Sequence, residues 1–254
     1  MAALMHELSV DIREKRFPTP DGTMKTVLRH VSFRAMLGEL IAIVGPSGCG
    51  KTTLLNIVAG LDTDFSGKVL LDRRRPERVR IGYVFQQPRL LPWRTVFENV
   101  MLVLPDGEAE RARRLLQEVG LGEFLETYPT RLSVGMARRA AIARAFVVEP
   151  ELLLMDEPFV SLDAATADRL RLLLLRLWRS HPTGALLVTH DLREAVALAD
   201  RILLMSDSPG RILADVPVPL RRDERADAGA VEQFRAEIAS EQKRLFAADT
   251  LSPE

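Results

Sequence analysis

Cysteine is almost missing from this chain: Cys49 is the only one in 254 residues. An internal disulfide and a cysteine-based metal site are therefore excluded, and a reducing, cytosolic compartment fits best. A surplus of charge is missing too. The 35 basic and 35 acidic residues leave a formal net charge of +0, which argues against a nucleic-acid binder. No apolar run reaches the roughly 20 residues that span a bilayer. The nearest, from Leu170 to Trp178, is broken by Arg171 and Arg176. Met1 to Val10 has no basic start followed by an apolar stretch, so no signal peptide is expected. Repeats and low-complexity tracts are absent as well. What is there is a chain with 47% hydrophobic residues, enough to bury one large domain or a domain with a sub-domain.

Short apolar runs alternate with helical patterns, which predicts a largely parallel α/β sheet. Buried strands are expected over 40–44, 81–85, 152–155 and 186–189, with a fifth over 202–205. A helix over 52–59 should close at Gly60. Ala109, Ala112, Leu115, Leu116 and Val119 recur at helical spacing and stop at Gly120. A second helix should begin at Ser133 and end near Val147. Residues 87–150 thus read as an all-helical insertion between sheet strands. The first forty residues read as antiparallel strands turning at Pro20-Asp21-Gly22. Beyond Leu220 the tail is charged and Ala-rich, with a helix expected over 231–246.

Gly45-Pro46-Ser47-Gly48-Cys49-Gly50-Lys51-Thr52-Thr53 matches the pattern G-x-x-x-x-G-K-[ST] in full, between a strand and a helix. Its glycines let backbone N–H groups converge on phosphate oxygens, Lys51 would meet the β- and γ-phosphates, and the Thr52 hydroxyl would ligate Mg²⁺. The helix adds its N-terminal dipole. Cys49 reads as a small loop residue, not a nucleophile. The 152–155 strand ends in Asp156 and Glu157, a costly pair to bury without a cation or proton. Asp156 would hold Mg²⁺ and Glu157 would polarise an attacking water. Gly45, Gln86, Asp156 and His190 each follow a strand end; in a parallel sheet those ends share one edge, where ligands bind. His190 there can reach a γ-phosphate oxygen.

With these residues in place, Leu132-Ser133-Val134-Gly135-Met136, followed by residues 137–145, resembles the signature of the ABC ATPase family. Ser133 suits an N-cap whose helix points its positive end at a phosphate. The resemblance covers nearly the whole chain. It implies an α/β P-loop NTPase (RecA-like) parallel-sheet core, with an antiparallel β sub-domain and an inserted α-helical sub-domain. The ATP-binding domain would span 1–220, with the helical sub-domain at about 87–150 and a helical tail over 221–254. By the same resemblance Gln86 is the Q-loop glutamine and a ligand of Mg²⁺, Ser161-Leu162-Asp163 the D-loop, and His190 the switch histidine. Phe17 would stack on adenine, unless it is core filler. Ser133, Gly135 and Met136 would contact the ATP held by a second copy, in a head-to-tail dimer that closes on ATP and drives integral-membrane permease subunits. A solute-binding protein completes such systems, and the cytoplasmic face of the inner membrane is the implied location. No nucleic-acid partner is implied.

One position departs from the family: Val134 stands where the first signature glycine is usual. Either the loop needs no positive φ there, which we favour, or turnover is reduced. Arg89-Leu90-Leu91-Pro92-Trp93-Arg94-Thr95-Val96 and Ser208-Pro209-Gly210-Arg211-Ile212 resemble the nitrate, sulfonate and taurine importer branch. Trp93 is either part of the groove that receives a permease helix or a half-buried core aromatic. Gly135-Met136-Ala137-Arg138-Arg139-Ala140-Ala141 resembles the phospholipid-trafficking branch instead. A soluble non-transport ABC ATPase is the remaining alternative, but the chain has neither long coiled coils nor a second cassette.

Overall fold

A computed structural model describes residues 7–36, 38–181, 183–222 and 224–251. The first six residues of the expected 1–220 domain and the last three of the expected tail lie outside that set. In chain order the elements are β1 (Glu7–Pro18), β2 (Met24–Met36), β3 (Leu40–Val44), α1 (Lys51–Val58), β4 (Ser66–Leu71), β5 (Ile81–Val84), α2 (Val96–Met101), α3 (Ala109–Glu118), α4 (Val134–Phe146), β6 (Leu152–Asp156), α5 (Ala164–Ser180), β7 (Gly184–Thr189), α6 (Leu192–Leu198), β8 (Arg201–Met205), β9 (Ile212–Pro217) and α7 (Ala228–Leu251). Two compact units divide them, one formed by 7–78 with 184–251 and the other by 79–183.

The first unit holds two sheets. In one, β1 lies between β2 and β4, antiparallel to both. Leu8, Val10 and Ile12 of β1 alternate inward while their neighbours face out, the pattern of an antiparallel sheet with one solvated face. The expected turn is present: Gly22 N–H donates to the Thr19 carbonyl at 2.9 Å. In the other sheet, β3 runs parallel to β7 and β8, and β9 returns antiparallel to β8. Every residue of β3 and β7 is buried, as for parallel strands covered on both faces. α1 closes with Gly60 N–H bonded to the Ile57 carbonyl and Leu61 N–H to the Asn56 carbonyl, a paired C-terminal closure that satisfies carbonyls left open by the last turn.

In the second unit β5 and β6 are parallel. The expected burial of β5 is corrected: Gly82 and Val84 are buried but Ile81 and Tyr83 are half-buried, because β5 is the outermost strand of its sheet. α3 closes at Gly120, through the bonds Gly120 N–H to Gln117 and Leu121 N–H to Leu116. The other three helices of this unit start on a capping side chain. Thr95 accepts from Glu98 N–H for α2, Ser133 from Met136 N–H for α4, and Asp163 from Thr166 N–H for α5. Each cap satisfies an N–H that the first turn leaves open, for about 1 kcal/mol. α7 is longer than the expected 231–246. No helix among the described residues is long and apolar enough to cross a membrane.

Candidate functional site

Each unit gathers its own share of the residues singled out in the sequence. In the first, β3 ends at Val44 and the chain turns through residues 45–50 into α1. Gly48 and Gly50 have φ of +82° and +103°, conformations that a side chain would strain. A Cβ on Gly50 would also come within 2.7 Å of Leu28 Cδ2. Ser47, Gly48 and Thr52 are exposed, while Lys51 is buried. The Lys51 ammonium donates to the carbonyls of Gly45 at 2.7 Å and Pro46 at 2.6 Å. A small loop wrapped round a cation at a helix N-terminus is a cradle for a polyanion. Burial pushes the Cys49 thiol above its ordinary range, so it stays protonated and is no nucleophile.

The register of β3 with β7 pairs Val44 with Thr189. Gly45 and His190 therefore emerge level on adjacent strands. His190 is exposed, and the residues on either side of it are fixed: Asp191 N–H donates to Thr189 Oγ1 at 3.0 Å, and Asp191 caps α6. A cavity of about 490 Å³ opens here, lined by Gly45, Pro46, His190 and Asp207, and by Gln242, Lys243 and Phe246 of α7. Phe17, at 39% exposure, is not core filler. The Lys15 ammonium sits 4.4 Å from its ring centroid and is itself anchored on Asp62. One further contact escaped the sequence reading. Gly210 packs so tightly behind the phosphate loop that a Cβ there would run into the Cys49 carbonyl. The same segment is pinned by Gly210 N–H to Val27 and Arg29 N–H to Gly210.

In the second unit the β5–β6 register pairs Val84 with Met155, so Gln86 and Glu157 leave their strands level. Gln86 Nε2 lies 3.4 Å from Glu157 Oε2. Asp156 is buried at the end of β6. Burial, with the Asp156 carboxylate next in effect, pushes the Tyr83 phenol far above its ordinary range. Glu157 and Ser161 hold φ of +44° and +61°, a left-handed conformation costing about 1–3 kcal/mol for a residue with a side chain. Such strain persists only where the surroundings over-determine it. Here they do: the Arg138 guanidinium of α4 donates to the carbonyls of Gln86 (3.1 Å), Pro158 (2.8 Å) and Val160 (2.6 Å). Arg138 too was missed, although an arginine amid the alanines of residues 137–145 already marks a charge on an apolar face.

Ser133 Oγ accepts from Met136 N–H at 3.2 Å, and Val134 and Gly135 form the first turn of α4. Neither has positive φ, so the loop asks for no glycine at 134. Asp163 caps α5 through Thr166 N–H at 3.0 Å, and hydrogen bonds from Thr166 hold its carboxyl below the usual range. A cavity of about 630 Å³ lies between Ser133–Gly135, Ser161–Asp163 and the arginines 139, 169 and 176. Trp93 is 69% exposed, which rules out its reading as a core aromatic. Each unit has its own oxygen donors: the first the Thr52 hydroxyl, the second the Asp156 carboxylate and the Gln86 amide. No group of three or more His, Cys, Asp or Glu able to hold a metal occurs among the described residues. Oxygen donors of this kind suit Mg²⁺, which binds through one or two carboxylates and fills the rest of its shell with phosphate oxygens and water.

A strand–glycine loop–helix cradle and a strand ending in paired carboxylates define a nucleotide-hydrolysing cassette, and the comparisons agree. The family model described as ABC transporter matches residues 28–160, and the chain belongs to that family. It binds ATP and couples ATP hydrolysis to transport. It is 45% identical over 217 residues to the aliphatic sulfonates import ATP-binding protein SsuB 2 of Burkholderia cenocepacia, covering 83% of this chain and 80% of that one. It is also 40% identical over 242 residues to aliphatic sulfonates import ATP-binding protein SsuB 1 of Xanthomonas axonopodis pv. citri, covering 91% and 94%. Among solved structures, a dimeric post-hydrolysis state of an ATP-binding cassette bound to ADP and Pi superposes with a TM-score of 0.72 at 29% identity, covering 84% of this chain and all of the other. The importer branch expected from residues 89–96 and 208–212 is thereby favoured over the lipid-trafficking one.

Proposed function

We propose that this chain is the motor of an importer for aliphatic sulfonates, acting as a pair of copies on integral-membrane permease subunits, with a solute-binding protein delivering cargo. The observation that carries this reading is its similarity to sulfonate-import ATP-binding proteins over four-fifths or more of both chains. Apposition on the cytoplasmic face of the inner membrane follows from that role. So does the division of the chain into a nucleotide-binding domain over 1–220, its helical sub-domain at about 87–150, and a tail.

The roles of the residues follow from their chemistry. ATP enters the cradle of residues 45–53, and Lys51 exchanges the Gly45 and Pro46 carbonyls for phosphate oxygens. Phe17 offers an exposed aromatic face to adenine. Mg²⁺, held by Thr52, Asp156 and Gln86, would offset charge on the phosphates. Glu157 accepts a hydrogen bond from the attacking water and draws off its proton, Gln86 steadies that carboxylate, and His190 donates to a γ-phosphate oxygen. The water oxygen bonds to the γ-phosphorus as the bond from that phosphorus to the β–γ bridging oxygen breaks, leaving ADP and inorganic phosphate. The N-terminus of α4, with Ser133, Gly135 and Met136, meets the nucleotide of the other copy. Exposed Trp93, Leu102 and Val103 offer the permease an apolar surface.

Glu157→Gln tests both halves of the reading. The purified variant should bind ATP with unchanged affinity, dimerise on it, and hydrolyse it at least about a hundredfold more slowly. A strain carrying only this variant should fail to grow on an alkanesulfonate as sole sulfur source yet grow normally on sulfate. Wild-type turnover would remove Glu157 as the base. Normal growth on the sulfonate, with turnover abolished, would overturn the cargo.

A further inference from the structure

Arg138 is a buried cation whose partners among the described residues are three backbone carbonyls and no carboxylate. An arginine buried only for structure is more often paired with an acid, which offsets the cost of removing its charge from water. The choice of carbonyls is therefore informative. Gln86 carries the side chain that faces Glu157. Pro158 and Val160 lie inside the turn that begins at Glu157 and ends at Ser161, the two residues with left-handed backbone. Within that turn Val160 N–H also reaches the Glu157 carbonyl, at 3.2 Å. The planar guanidinium fork is suited to holding several acceptors at fixed mutual angles.

We propose that Arg138 is a positioning residue for ATP hydrolysis: one guanidinium holds the backbone on both sides of the attacking-water position, and thereby fixes the Glu157 carboxylate against the Gln86 amide. The inference rests on the reading of Glu157 as the base. Because Arg138 stands five residues after Ser133 on α4, a displacement of the signature helix pulls directly on the Glu157 turn. Occupancy of the signature by the other copy's nucleotide is in this way felt at the chain's own base.

The test compares Arg138→Lys and Arg138→Met with the wild type in ATP binding and in single-turnover hydrolysis. An ammonium on a different stem cannot reproduce the fork, so Arg138→Lys should lower the hydrolysis rate about tenfold and Arg138→Met about a hundredfold. ATP affinity should change less than twofold in both. In a Glu157→Gln background, Arg138→Lys should lower the residual rate less than twofold, since the group being positioned is already gone. Amide exchange over 157–161 should quicken in Arg138→Lys while β6 and the phosphate loop keep wild-type protection. A merely structural role predicts otherwise: equal fold-losses in both backgrounds, or a loss of ATP affinity matching the loss of rate, would overturn the proposal. So would unchanged exchange at 157–161. If Arg138→Met does not fold, Arg138→Lys alone decides. Wild-type turnover by Glu157→Gln would instead overturn the reading of the base beneath it.

Discussion

Val134 shows how one side chain can look wrong in sequence and harmless in structure. A valine at a family glycine suggests either a strained loop or an impaired enzyme. The backbone at 134 is helical, however, and the side chain is 58% exposed at the first position of α4. No positive φ is needed, so the glycine's freedom brings nothing there. Val134→Gly should leave the ATPase rate within about twofold and lower stability by no more than about 1 kcal/mol. Steady-state turnover and urea denaturation check this, and a large loss of rate would mean that the loop has adapted to the valine. Glu157 is the opposite case. Its chemistry is marked in sequence by the paired acids at a strand end, but nothing there announces that its backbone holds a conformation that its own residue type disfavours.

At the level of elements, what could be read in advance was whatever depends on neighbours in the chain. The phosphate loop, the closures at Gly60 and Gly120, the Ser133 cap and the cores of β3, β6, β7 and β8 are local patterns with local causes. The pairing of Gln86 with Glu157 was half legible, because both follow strand ends, but the register that makes them level was not. β4 and β9 were missed: β4 owes its place to β1, far earlier in the chain, and β9 lies at the sheet edge beside β8 with no buried residue to form an apolar run. The fold of residues 89–96 was missed for a similar reason. Its motif suggested a branch of the family but not the buried amide that shapes it. Asn99, fully buried on α2, accepts from Leu91 N–H at 2.7 Å and donates towards the carbonyls of Leu91, Arg94 and Thr95. Asn99→Leu keeps the bulk and removes these bonds, so it should cost about 1–3 kcal/mol in urea denaturation while ATP affinity stays unchanged.

For the whole molecule, nucleotide binding should be visible as stability, because a ligand that binds only the folded chain shifts unfolding by mass action. ATP at about a hundred times its dissociation constant adds about 2.7 kcal/mol, a rise in melting temperature of about 5–10 °C for a protein of this size. Lys51→Ala should lose most of that rise while keeping its melting temperature without ATP. An undiminished shift would place the nucleotide elsewhere. The phosphate loop itself is less self-contained than its nine-residue motif suggests, since Gly210 presses on the carbonyl of Cys49 from more than 150 residues away. Anyone grafting residues 45–53 into another strand–helix scaffold would be moving a hinge without its doorframe: the transplant would keep the motif and lose the shape unless the 205–211 segment travelled with it.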